Sequence, residues 1–481
     1  MLFNSIEFLF FLPVVFALYW FVFNKDSRVQ NLLLLISSYF FYGFWSWQFL
    51  ILLATSTLLD YLYGFSVASN NRRKAKFFLW LSILNNLGIL CLFKYYDFFA
   101  IQFQNACERI GLQIHPYLLQ FALPIGISFY TFHGMSYVFD IYKGKQEPIK
   151  NFIDYAVFVA FFPLLVAGPI ERATHLLPQF QKKRTFEYAN SVNGLRQILW
   201  GLFKKIVIAD NCAEYANLIF NNSQAYAGST LVLGALFFTF QIYGDFSGYS
   251  DIALGTARLF GIELIRNFNF PYFARDIAEF WRRWHISLSS WFRDYLYIPL
   301  GGSQGGTWMK VRNTFIIFIV SGFWHGANWT FIVWGTLNAV YFLPLLLTNK
   351  NRSNLETVAQ GKLFPSLKEL IHMLLTFSLT VFAWIFFRAK DLSHALSYIK
   401  GILSHSIYQI PKFAGMPKAY MILSLVGIFM MIEWIGRENQ FAIERLGLTW
   451  KRSFRWGFYF ILLACLFIFS GNEQQFIYFQ F

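Results

Sequence analysis

The sequence predicts an all-α polytopic membrane protein, and three observations lead there. Only 14% of the residues are charged, against about 25% in soluble domains, while 57% are hydrophobic and 21% aromatic. Apolar runs at or near the ~20 residues that a spanning helix needs recur along the chain. These runs are apolar all round, whereas the strands of a transmembrane barrel alternate polar and apolar residues. Together they give about 11 transmembrane or re-entrant segments, organised as a single membrane-embedded domain over residues 1–481.

Each run has its place in a charge topology. Ser5–Phe23 is followed by Lys25 and Arg28 and preceded by no basic residue. The positive-inside rule therefore puts the N-terminus on the extracytoplasmic side of the cell membrane. A positive n-region and an A-x-A-like site are both missing, so this run reads as a retained span. Asn31–Ala68 forms a hairpin of two spans that returns to the basic knot Arg72-Arg73-Lys74. Phe77–Phe93 goes out, and Pro116–Phe139 comes back to Lys143 and Lys145. The next knot, Lys182-Lys183-Arg184, is also predicted inside, so Phe152–Ile170 must enter and leave by one face. Its Pro163, Gly168 and Pro169 suit a broken, re-entrant segment shielded by protein. Ser229–Tyr243, Ile371–Phe387, Tyr420–Ile432 and Trp456–Ser470 are further apolar runs. Lys204-Lys205 and Lys451-Arg452 with Arg455 read as cytoplasmic loop markers.

Several function classes fall away at this stage. The formal net charge of +15 is spread over short knots between apolar runs, with no basic domain or tail, which argues against nucleic acid. Cys91, Cys107, Cys212 and Cys465 show no paired spacing, so no metal site and no disulfide frame is expected. No phosphate-cradling or nucleophile motif is present, and Gly301–Gly306 reads as a turn.

The polar centre lies at residues 240–335. Between Arg312 and Lys350 run 37 residues without a formal charge, and His325 sits among them. If the segment is helical from Arg312, His325 lies about 20 Å in, near mid-depth of a hydrocarbon core of about 30 Å. An imidazole there is a candidate for proton transfer, while tight packing at Gly322 and Gly326 accounts for the same neighbourhood. On a continuous helix, Trp281, His285, Leu288, Phe292 and Tyr295 share one face, with Arg283 and Asp294 opposite. His285 then points with the aromatics, either as a functional group or hydrogen-bonded among tryptophans. Gln241–Asp251 adds Asp245, Ser247 and Tyr249, and Asn328 follows His325.

The order Trp284-His285, Asp294–Ser303, Ser321-Gly-Phe-Trp324-His325-Gly-Ala-Asn-Trp329 and Trp334-Gly335 resembles the membrane-bound O-acyltransferase family. The likeness is greatest to its bacterial branch, which holds the alginate O-acetyltransferase membrane subunit and enzymes acting on peptidoglycan and teichoic acid. It extends to Leu123–Phe132, Val166–Arg172, Gly201–Lys205, Gln241–Asp251 and the closing Phe476–Phe481.

The resemblance implies tilted helices ringed around a central tunnel in which His325 and His285 meet. It makes His325 the general base and His285 the residue that orients the acceptor or donates to the oxyanion. Apart from the resemblance, Asp245, Ser247, Tyr249 and Asn328 are candidates for substrate or supporting contacts, or else satisfy polar groups between helices. The resemblance further implies an acetyl group moved from acetyl-CoA or another acyl thioester, a substrate rather than a bound cofactor. The acceptor would be an extracytoplasmic polysaccharide hydroxyl, reached with an SGNH-like acetyltransferase partner. The competing class, a transporter or flippase of a polysaccharide precursor, predicts paired broken helices in two related halves, which the sequence does not display.

Overall fold

The computed structural model describes residues 1–166, 168–471 and 474–479. Among them regular structure is entirely helical. The chain divides into two compact units, Met1–Ser191 with Thr256–Ile265, and Val192–Gly255 with Arg266–Phe481.

The first unit contains α1 (Ile6–Ala17), α2 (Ser27–Gly43), α3 (Trp47–Val67), α4 (Arg72–Leu90), α5 (Tyr96–Arg109), α6 (Ile127–Tyr142), α7 (Phe152–Ala160), α8 (Phe162–Leu165) and α9 (Ala173–Gln181). Polar caps set the starts. Ser5, Asp26, Asn71 and Asn151 each accept from a backbone N–H of the first turn, which satisfies donors that no helical carbonyl reaches. The predicted hairpin is present as α2 and α3. A buried Asp60 joins α3 to α4 by accepting from Ser82 and Asn86 at 2.8 Å each. Phe152–Ile170 is broken, as its prolines suggested: α7 ends at Phe161 (ψ 113°) and α8 starts with Pro163 in its first turn. Ala167, within that run, lies outside the described residues.

One span is shorter than expected. Residues 112–124 of the run Pro116–Phe139 are not helical, and α6 begins only after Gly126, whose φ is +74°. Pro116 and Pro124 disfavour helix in the residue before each, and Gly126 supplies the left-handed turn.

The second unit holds most of α10 (Tyr188–Leu202), a π-helical turn (Phe203–Ala209), α11 (Asp210–Asn221) and most of α12 (Gly228–Leu259). α13 (Ile277–Arg283), α14 (Ile286–Phe292), α15 (Gly306–His325), α16 (Trp329–Leu347), α17 (Leu367–Arg388), α18 (Leu392–Ile402), α19 (Met416–Ile435) and α20 (Arg452–Ile468) follow. The polar stretch Gln241–Asp251 does not interrupt α12, because its carboxylates are met by lysines from the π-helical turn.

Two expectations change here, and a third holds. Residues 281–295 are not one helix: α13 and α14 are separated at Trp284-His285. Arg312–His325 is helical, as supposed, at the end of α15, and α16 turns back from it after His325–Asn328. Lys204 and Lys205 are not loop markers; they are 4% and 2% exposed, each between two carboxylates.

Among the described residues, six helices are long and apolar enough to cross a membrane: Trp47–Val67, Arg72–Arg109, Gly228–Leu259, Trp329–Leu347, Leu367–Arg388 and Met416–Ile435. Other apolar runs form shorter helices, Ile6–Val22 among them.

Candidate active site

His325 is the last residue of α15. The helix stops because Gly326 is extended and Asn328 caps α16, accepting from the Thr330 N–H at 3.0 Å. The α15–α16 hairpin closes tightly at two glycines. A Cβ on Gly322 would lie 2.3 Å from the Phe331 carbonyl oxygen, and one on Gly335 would lie 2.3 Å from that of Phe318. This packing holds the His325 imidazole, 4% exposed, edge-on to Trp334 at 5.2 Å and against Phe387 at 5.2 Å.

His285 is held by a different device. It caps α14 in the left-handed conformation, φ 45° and ψ 53°. Asn267 clamps the turn from the preceding extended segment: its backbone carbonyl accepts from the Ile286 N–H at 2.9 Å. Its Oδ1 accepts from the Ser287 N–H at 3.3 Å and the Ser287 hydroxyl at 2.9 Å. The ring, 1% exposed, meets Phe246 edge-on at 4.6 Å. Neither ring nitrogen has a hydrogen-bond partner among the described residues. An imidazole buried with both nitrogens unused is costly. Such a group at a site where a polar substrate would sit is a functional candidate.

The two imidazoles meet, with centroids 6.5 Å apart and planes at 53°. Trp324 lies 5.9 Å from His285 and 4.9 Å from His325. Tyr478, far away in sequence, completes the cluster at 6.2 Å from His285 and 5.6 Å from His325.

Asp245 places Tyr478. Its carboxylate accepts the Ile477 N–H at 2.7 Å and pairs with Lys205 at 2.8 Å; Lys205 also pairs with Asp210 at 2.8 Å and donates to the Gln474 carbonyl at 3.0 Å. Residues 474–478 are thereby strapped beside the histidines, while 480 and 481 of the closing motif lie outside the described residues. Tyr249 packs against Phe476 of the same strap, with ring centroids 4.6 Å apart and planes tilted by 37°.

Ser247 and Asn328 stand apart. Ser247 faces a small cavity of about 10 Å³ with Ser250, Asp251, Arg266 and Asn267, at the lower edge of what one water requires. There Lys204 pairs with Asp251 at 2.8 Å and Glu433 at 3.3 Å, and Tyr243 donates to Glu433. Asn328 spends its side chain on the α16 cap and the Lys390 carbonyl. Tyr478, Lys205 and Asn267 were missed by sequence reasoning. The closing Phe476–Phe481 motif was the one signal pointing to Tyr478.

Two buried imidazoles that face each other among apolar helices fit an integral-membrane enzyme, and the comparisons supply its class. The chain belongs to the membrane-bound O-acyltransferase (MBOAT) family, whose model matches residues 32–383. It is an O-acyltransferase and a multi-pass membrane protein.

The chain is 38% identical to the probable alginate O-acetylase AlgI of Pseudomonas aeruginosa, over 89% of this chain and 82% of that protein. It is 33% identical to the peptidoglycan O-acetyltransferase of Helicobacter pylori, over 100% and 98%. A teichoic acid D-alanyltransferase of Bacillus subtilis is 29% identical over 56% and 70%.

Proposed function

We propose that this O-acyltransferase moves an acetyl group from a cytoplasmic thioester, such as acetyl-CoA, towards hydroxyls of an extracytoplasmic polysaccharide. The observation that carries this reading is the His285–His325 pair, buried and 6.5 Å apart in an aromatic cage. A thioester is already an activated donor, so the remaining difficulty is the weak nucleophilicity of a hydroxyl. A neutral His325 imidazole takes the hydroxyl proton as the oxygen attacks the thioester carbonyl, an effect worth about 10²–10⁴-fold. His285 orients the acceptor or donates to the oxyanion as it forms. The C–S bond then breaks, and the thiolate leaves with a proton returned from the imidazolium.

The names of the relatives, which act on alginate and peptidoglycan, support a polysaccharide acceptor and acetyl as the group. The reading includes a separate SGNH-like protein that finishes the transfer, a location in the cytoplasmic membrane, and an extracytoplasmic N-terminus. The test is exopolysaccharide acetylation in cells carrying His325→Ala, with membrane accumulation of the variant measured in parallel. Loss of acetylation at normal accumulation is expected; unchanged acetylation sinks the assignment of His325 as the base.

A further inference from the structure

The first unit contains a recess of about 350 Å³ that the histidine chemistry does not use. Lys182, Lys183, Arg184 and Arg258 line it, opposed by two carboxylates, Glu187 and Glu263. Asn190 and Ser191, in the first turn of α10, line it as well. The positive end of that helix therefore reinforces the excess of cations.

Arg184 is the informative residue. It is 6% exposed, yet its hydrogen bonds go to neutral acceptors: Asn31 Oδ1 at 2.7 Å, the Ser27 carbonyl at 3.3 Å and Gln30 Oε1 at 3.4 Å. Its Nε and Nη1 have no hydrogen-bond partner among the described residues. Asp154 reaches it only through Asn31, whose Nδ2 donates to Asp154 at 2.8 Å. Tyr19 and Phe180 face the guanidinium at 5.6 and 6.0 Å. A buried guanidinium without a direct carboxylate is costly to desolvate, and its uncompensated charge adds to the positive potential of the recess. Two exposed lysines beside it add charge without rigid geometry, an arrangement suited to a multiply charged oxyanion.

We propose that this recess binds a phosphate group, presented either by an anionic lipid headgroup or by a soluble phosphate ester. The site lies wholly in the first unit, whereas both histidines belong to the second, so it can be tested by binding alone.

The experiment uses the purified full chain in nanodiscs of phosphatidylcholine. In one arm, adenosine 3′,5′-bisphosphate is titrated and binding is followed calorimetrically. In the other, phosphatidylglycerol is added to the nanodiscs and retained lipids are counted by native mass spectrometry. Wild type is expected to show saturable binding in one arm, weakened about tenfold by removal of the lysine charges in Lys182→Gln/Lys183→Gln. Asn190→Asp, which puts a negative charge in the same recess, is a second variant expected to weaken binding. Loss of a retained phosphatidylglycerol assigns the headgroup, and loss of bisphosphate binding assigns the soluble ester. Absence of saturable binding in both arms, or binding unchanged in both variants, overturns the proposal.

Discussion

Ile477 donates its backbone N–H to the Asp245 carboxylate at 2.7 Å, across 232 residues of sequence. Asp245 was a candidate for contacting substrate or for supporting the site from behind. Its observed bonds hold a segment of chain that carries Tyr478 to the two histidines. Asp245→Ala should therefore act at a distance. It leaves Lys205 and Asp210 in a buried pair that has lost one carboxylate, a change worth about 3–5 kcal/mol when a buried ion pair is broken. Lowered thermal stability, loss of acyl transfer and faster proteolysis near residue 474 are expected together. Proteolysis at the wild-type rate would show that the strap does not depend on this anchor.

The histidines should behave as one unit. His325→Ala is expected to lower transfer by about 10²–10⁴-fold, the worth of general base catalysis. His285→Asn should lower it less while leaving accumulation normal. The double variant should be hardly worse than His325→Ala, since groups acting in one step are not additive. Initial rates of the three purified variants decide this; a multiplicative loss would assign the histidines to separate steps.

Tyr478→Phe keeps the ring contacts with Phe246 at 4.5 Å and Trp324 at 6.2 Å and removes only the hydroxyl. That hydroxyl is the part of the side chain that a neighbouring imidazole can act on, so most of the activity should go with it. Full activity in this variant would leave Tyr478 as a wall of the site.

Asn267 touches the site only through the turn that carries His285. Asn267→Ala should reduce kcat with KM little changed, because the substrate contacts stay while the imidazole loses its orientation. Asn267→Asp retains an acceptor for Ser287 and should recover part of kcat. Equal losses in both variants would point to a general packing defect.

Gly335→Ala places a methyl 2.3 Å from the Phe318 carbonyl oxygen. The α15–α16 hairpin must part to admit it, at a cost typical of overpacking, about 1–3 kcal/mol. Reduced membrane accumulation is expected, measurable against Gly427→Ala, where nothing lies within 4 Å.

Much of the fold was legible because apolar length and capping residues act locally. The hairpin of α2 and α3 and the break at Phe161 follow from nearby side chains. His325 was legible too, since a lone imidazole in an uncharged run stands out by composition. His285 was found for an incomplete reason. Residues 281–295 fit a helical face, and nothing adjacent announces the break. The clamp comes from Asn267, and its geometry exists only after folding. Lys204 and Lys205 misled in the same way, because their carboxylates lie on other helices. A rule that counts charge along the chain takes such a pair for a loop.

The left-handed backbone at His285 also limits what can replace it. Outside glycine, Asn, Asp and His are the residues most enriched in that conformation, which few others adopt, Phe270 of this chain among them. Glycine offers no side chain, and an aspartate would bring a negative charge into an aromatic cage. Asparagine is the favoured alternative that keeps the turn and still presents a neutral donor and acceptor. The main chain thus narrows the alphabet at this position before any chemistry is considered.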